Sequence, residues 1–140
     1  MSLEIINPEP LGRPSGWNNG MLAPAGSRIL FVAGQAGSDA SGKLTTKDFV
    51  GQWAQSLDNI LTVVRAAGGN PEDIARMTVY VIDREAYLTN LEPLGKMWRE
   101  RMGKHYPAMA LLEVKGLVDP DALVEIEATA VIPEQPHHPA

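Results

Sequence analysis

The chain of 140 residues contains no cysteine. That absence removes disulfides, thiolate nucleophiles and cysteine-based zinc or iron–sulfur centres, and it suits a reducing, cytoplasmic setting. Long apolar runs are missing too: none approaches the ~18 residues of a membrane span, and the opening MSLEIINPEP has no basic stretch leading into an apolar core. No membrane association is expected. Positive charge is scarce, with 12 Lys and Arg against 17 Asp and Glu for a net charge of −5. No Lys/Arg cluster or aromatic-basic strip offsets it, so a phosphate backbone would be repelled and no nucleic-acid partner is expected.

What is present is a globular composition, 44% hydrophobic and 21% charged, in a chain long enough to bury a real core. A single domain over residues 1–132 is expected, followed by a Pro/His tail at 133–140 that cannot hold regular structure. Gly20 to Gly26 and Ser27 to Gly34 read as two strands joined by a Pro-Ala-Gly turn, a hairpin. From Thr45, Phe49, Trp53, Leu57, Ile60, Leu61 and Val64 recur at spacings of three and four, drawing one apolar stripe along a helix that Gly68-Gly69 stops. Asn70-Pro71-Glu72-Asp73 reads as a capped short turn before the β-branched strand 76–82. Asp83 caps a second helix with Tyr87, Leu91, Leu94, Trp98 and Arg101 on one stripe, closed by His105-Tyr106-Pro107. Strands 108–115 and 123–132 complete the order ββαβαββ: an α+β fold, one mixed sheet with two helices packed on one face.

One segment imitates a nucleotide site. Gly37 to Lys43 has the Gly-x4-Gly-Lys spacing of a P-loop, but Leu44 stands where Ser or Thr would hold Mg²⁺, and the capping signal Thr45-x-x-Asp48 starts the helix too late to cradle a phosphate. A plain Gly/Ser turn is expected. The histidines, His105, His137 and His138, have no helical ligand partner at three or four residues, so no metal is expected. There is no Gly-x-Ser-x-Gly elbow for a serine hydrolase.

The strand carboxylates are more informative. Alternation puts Glu125, Glu127 and Thr129 on one face of the last strand, and groups Met109, Leu111 and Glu113 in the strand before it. The short connection suggests that these two strands pair, giving one face that mixes acids with apolar groups. Such a face is either solvent-exposed, or meets cations across a subunit contact, or holds a general base, since a carboxylate in an apolar cleft has its charged form disfavoured.

The strand end Val32-Ala-Gly-Gln35, the helix stretch Gln55-Ser-Leu-Asp-Asn-Ile-Leu61, the strand Met77 to Asp83, the run Tyr106-Pro-Ala108 and the ending Val124-Glu-Ile-Glu-Ala128 occur in an order that resembles the RidA/YjgF family, also called L-PSP endoribonucleases. The resemblance spans residues 17 to 132. It implies a chorismate-mutase-like fold, a homotrimer with small-molecule clefts between subunits, no metal or organic cofactor, and hydrolysis of reactive imines and enamines. It assigns Glu125 to positioning or activating water, and places Trp17, Gly34, Gln35, Glu92 and Met109 at the ligand. In the resembling enzymes an arginine at the position of Met109 clamps the substrate carboxylate with two hydrogen bonds. Trp17 keeps the ring of a usual tyrosine and loses its hydroxyl, and Glu92 replaces an asparagine.

A charge-assisted hydrogen bond contributes ~1.5–3 kcal/mol, so losing a two-bond clamp costs about 3 kcal/mol or more, on the order of a hundredfold in affinity. A carboxylate beside Met109 and Glu125 would also lack a matched cation. The resemblance with this departure points to a deaminase or hydrolase acting on a small imine, enamine or related C–N compound other than the usual 2-imino acids. The alternative is a non-catalytic trimer that binds a small metabolite or regulates a partner, and RNA cleavage is a third reading that the acidic charge opposes.

Overall fold

The computed structural model describes residues 3–134. His137 and His138, and the tail expected there beyond Glu134, lie outside the described residues. The elements are β1 (Glu4–Ile6), β2 (Gly20–Leu22), β3 (Arg28–Ala36), α1 (Phe49–Ala66), β4 (Ile74–Val81), α2 (Arg84–Leu88), α3 (Leu91–Met102), β5 (Ala108–Glu113) and β6 (Val124–Ile132), with short 3-10 turns at Glu9–Leu11 and Pro71–Asp73. The main sheet has the order β3-β6-β4-β5, mixed because β4 and β5 run parallel while β6 is antiparallel to both of its neighbours. The fold is α+β, with the helices on one face of the sheet.

Three local expectations are corrected. β2 does not form a hairpin with β3; it pairs with β1, Ile5 opposite Met21, in a separate two-stranded ribbon. The second helix is two helices, because Thr89 Oγ1 donates to Glu85 O (2.8 Å) and Asn90 Nδ2 to Ala86 O (2.6 Å), side-chain bonds that compete with helix continuation. Pro93 then falls in the first turn of α3, where its missing N–H is harmless. Finally, β5 and β6 are not neighbours. Residues 114–123 are long enough to carry the chain across the end of β4, where Val114 N donates to Val81 O (2.8 Å) and Ile82 N to Leu123 O (3.2 Å). β4, apolar and β-branched, thereby gains a partner on each side.

The helix stripe read from the sequence is the core. Phe49, Trp53, Leu57, Ile60, Leu61 and Val64 of α1 are buried against Val32, Met77, Val79, Val81, Ile126 and Ala128 of the sheet. Burying each such side chain contributes roughly 1.5–3 kcal/mol. α3 adds Leu94, Met97, Trp98 and Met102, and Arg101 ties it to α1 through Asp58 (Nε to Oδ1 2.7 Å, Nη2 to Oδ2 3.3 Å). Polar side chains are buried there too, Gln52 and Ser56 of α1 completely. Gln52 donates to Thr46 O (3.1 Å) and Asp121 O (3.3 Å) and accepts from Leu123 N (2.8 Å), so α1 anchors the loop that delivers the chain to β6. Gly37 is required beside it, because a Cβ there would lie 2.6 Å from Gln52 O and 2.8 Å from its Cα.

Candidate active site

The register divides the candidate residues between the two sheet faces. Met109 is the partner of Met77, which in turn partners Ala128, and Met77 is fully buried beneath the helices. Glu125 partners Tyr80 and Ala36, and Tyr80 partners Leu112, so this rung faces away from the helices. The expectation that Met109 and Glu125 share one face is therefore overturned: the inserted strand β4 fixes their phases independently. Glu113 is not a free acid of that group either, since its Oε1 accepts from Arg84 N (2.8 Å) at the start of α2.

On the helix side, a cavity of about 240 Å³ opens at the β5 edge. It is lined by Gly16, Trp17, Trp53, Tyr87, Leu91, Leu94, Gly95, Trp98, Tyr106, Met109, Ala110 and Leu111, none of them charged. Trp17, 43% exposed, is carried there because Asn18 N donates to Pro107 O (3.0 Å) and Asn18 Nδ2 to Tyr106 O (2.6 Å), which bridges the N-terminal segment to Ala108. Two parallel aromatic pairs frame the cavity, Trp53 with Tyr87 (centroids 5.9 Å, 19°) and Trp98 with Tyr106 (6.0 Å, 4°). Trp98 is fixed by its Nε1 donating to His105 O (3.1 Å), and His105 is held in turn by Nε2 at 2.7 Å from Ile74 O. Glu92 is exposed and does not line this cavity; its neighbour Leu91 does.

On the other face, β3 carries a bulge between Val32 and Gln35, and there Gly34 meets Glu125. A Cβ on Gly34 would lie 2.5 Å from Glu125 Oε2, so the carboxylate rests in the hollow that only glycine leaves. Gln35, the next residue, instead partners Ile126 and lies half-buried on the helix side near Gln55 and Asn59 of α1, where its Nε2 donates to Ala33 O (3.2 Å). Two residues on from Glu125, Glu127 Oε2 accepts from the Tyr80 hydroxyl (3.0 Å). That hydrogen bond, with burial and the charges of Glu127 and Glu125 adding to it, raises the phenol above its ordinary value. A second concavity, of about 220 Å³, lies on this face between Phe31, Arg76, Thr78, Glu127 and Thr129.

The six candidates are thus divided, Trp17 and Met109 at the cavity and Gly34 and Glu125 on the open face, with Gln35, on the helix side at the β3 edge, and Glu92 in neither group. Sequence reasoning placed Trp53, Tyr87 and Trp98 on helix stripes and passed over Tyr80. A stripe read as core does not reveal that its end opens into a cavity, and a tyrosine in a strand gives no sign of its acid partner until the register is known. The Gly37–Lys43 segment is closed by its own side chain: Asp39 Oδ1 accepts from Ser41 N (2.9 Å), Ser41 Oγ (2.7 Å) and Lys43 N (3.1 Å), and these bonds, led by Ser41, hold the carboxyl below the usual range. A carboxylate already occupies the N–H groups that a phosphate would need.

Comparison with known proteins agrees with this architecture. The endoribonuclease L-PSP family matches residues 16–132. A RutC family protein of Pyrococcus horikoshii is 32% identical over 124 residues, covering 88% of this chain and 90% of that protein. A 2-iminobutanoate/2-iminopropanoate deaminase of Salmonella typhimurium is 33% identical over 103 residues, covering 74% and 79%. Among solved structures, a protein of the conserved Rid family from Yersinia pestis superposes with a TM-score of 0.81 at 32% identity, covering 94% of this chain and all of that one. The chain therefore belongs to the endoribonuclease L-PSP family and is a RidA/YjgF protein.

Proposed function

We propose that this protein is a RidA-like deaminase that hydrolyses a small imine or enamine in clefts formed between copies of a homotrimer. The observation that carries the reading is the division of the site. One chain holds an apolar cavity at Met109 and a water-facing carboxylate at Glu125 on opposite sheet faces, so a ligand in the cavity meets a carboxylate only from a second copy. The relatives named as 2-iminobutanoate/2-iminopropanoate deaminases support the reaction class. The open face supports association: it exposes Phe31 (79%) and Ile29 beside Arg76 and Glu127, a surface with both apolar area and charges of opposite sign.

In this reading Glu125 accepts a proton from water, whose oxygen adds to the imine carbon. Glu125 returns that proton to the imine nitrogen. The hydroxyl proton of the resulting carbinolamine follows it to the nitrogen through the same carboxylate, and the C–N bond breaks so that ammonia leaves as the carbonyl forms. Backbone at Gly34 and Gln35 steadies the developing charge, while Met109 and Trp17 wall the ligand. The working unit is the single domain 1–132, in a cytoplasmic setting. With Met109 in the clamp position, ordinary 2-imino acids are poor substrates. The test is imine hydrolysis by wild type and Glu125→Gln. A loss of ~10²–10⁴-fold with an unchanged melting temperature is expected, and equal rates would remove Glu125 from the reaction.

The second reading, a non-catalytic trimer that binds a metabolite, is favoured by the same cavity, which offers no charged side chain to orient a reacting group. A ligand that stabilises the protein without being consumed, together with no turnover of any imine, would select it.

A further inference from the structure

We infer that the cavity selects a compound bearing a flat ring and no carboxylate, so that the substrate class is an aryl-substituted imine or enamine formed from an amine rather than from an amino acid. This rests on the cleft proposed above. Its physical basis is the lining itself: Trp17, Trp53, Tyr87, Trp98 and Tyr106 contribute rings, Met109 contributes a polarizable thioether, and no charged side chain reaches the wall.

Offset and edge contacts between rings, and sulfur against a ring edge, are each favourable beyond the area they bury. The two stacked pairs leave their planes fixed, so a ring enters without reorganising the wall. Size is sufficient, since the cavity holds about 240 Å³, whereas an apolar cavity of ~150 Å³ accommodates benzene. An anion fares differently. Its carboxylate would shed water against indole and thioether with no cation to receive it, and Glu125 of a second copy would add charge of the same sign. Nor does the wall supply a strong donor at Trp53, whose buried Nε1 has no hydrogen-bond partner and less than 1 Å² of accessible area.

Two measurements on the wild-type assembly separate this inference from the hydrolytic reading. The first is calorimetric binding of three non-hydrolysable probes: phenylacetamide, phenylacetate and butanamide. Phenylacetamide is expected to bind at least ~tenfold more tightly than either of the others, a difference of about 1.4 kcal/mol. Phenylacetate binding as well as phenylacetamide, butanamide matching it, or no binding by any probe would overturn the inference. The second is clearance of imines generated in situ from phenethylamine by an amine oxidase and from phenylalanine by an amino-acid oxidase, read as loss of semicarbazide-trapped imine. Faster clearance of the amine-derived imine supports the inference, and faster clearance of the acid-derived one overturns it. If neither imine is cleared while the binding order holds, the hydrolytic reading fails and the ligand class stands.

Discussion

The two faces of the four-stranded sheet are made by the same strands under the same alternation, and they have opposite chemistry. Beneath the helices, Met77, Val79, Val81, Ile126 and Ala128 are buried, and the face turns into a cavity only where β5 runs out from under α3 at Met109. On the open side, Arg76, Thr78, Tyr80, Glu125, Glu127 and Thr129 stand in register, all polar, with Tyr80 hydrogen-bonded to Glu127 and Phe31 exposed at their margin. The difference teaches that neither face is a whole site. The helix side has shape without a charged group, while the open side has charged groups without enclosure, and in the proposed reading a second copy brings the two together.

The largest effect expected from breaking this division is complementation. Glu125→Gln and Met109→Glu chains are each expected to be inactive alone. Refolded together they should recover roughly a quarter of wild-type activity, because random mixing around a ring pairs an intact cavity with an intact carboxylate in that share of clefts. No recovery would place both residues in one chain's site. Next, Gly34→Ala intrudes on the Glu125 carboxylate. A drop of ~10–10²-fold in kcat with little change in melting temperature is expected, since the displaced group is the end of a flexible side chain while catalysis depends on where it rests. Met109→Arg should improve clearance of the phenylalanine-derived imine over the amine-derived one by on the order of a hundredfold, measured as a ratio of kcat/KM.

Smaller effects test each side separately. Gln52→Leu leaves Leu123 N without its acceptor and Thr46 O and Asp121 O without their donor, and should cost ~2–3 kcal/mol in denaturant unfolding. On the open face, Glu127→Gln should return the Tyr80 phenol toward its ordinary ~10, read by ultraviolet titration. Because the folded phenol lies above its unfolded value, its contribution to stability is present below about pH 10 and is lost as pH rises through the folded value. The contact is thus unaffected across the neutral range.

Much of the fold was legible in residues that obey one period. The stripe from Phe49 to Val64, the β-branched β4 and the alternating β6 each announce their element, and the family motifs lie along them. What was not legible depends on partners distant in sequence. Ile5 pairs with Met21 in a ribbon too short to show a period. The insertion of β4 beside β6 depends on a loop crossing that its composition does not announce, and with it went the relation of Met109 to Glu125. The candidate residues could be named from motifs, but their division into two groups required the register.

The bulge in β3 has a consequence for how this chain tolerates change. Between Val32 opposite Ala128 and Ala36 opposite Glu125, β3 spends one more residue than β6. A strand with uniform pairing can slide by two and keep its pattern, but this one has a single alignment in which the extra residue is accommodated, with glycine under the carboxylate. Removing Ala33 would restore even pairing and abolish the bulge at which Gly34 receives the Glu125 carboxylate. Length variation in β3 is therefore barred at this point, whereas the turn from Asp39 to Lys43, closed on itself by its own carboxylate, is free to drift.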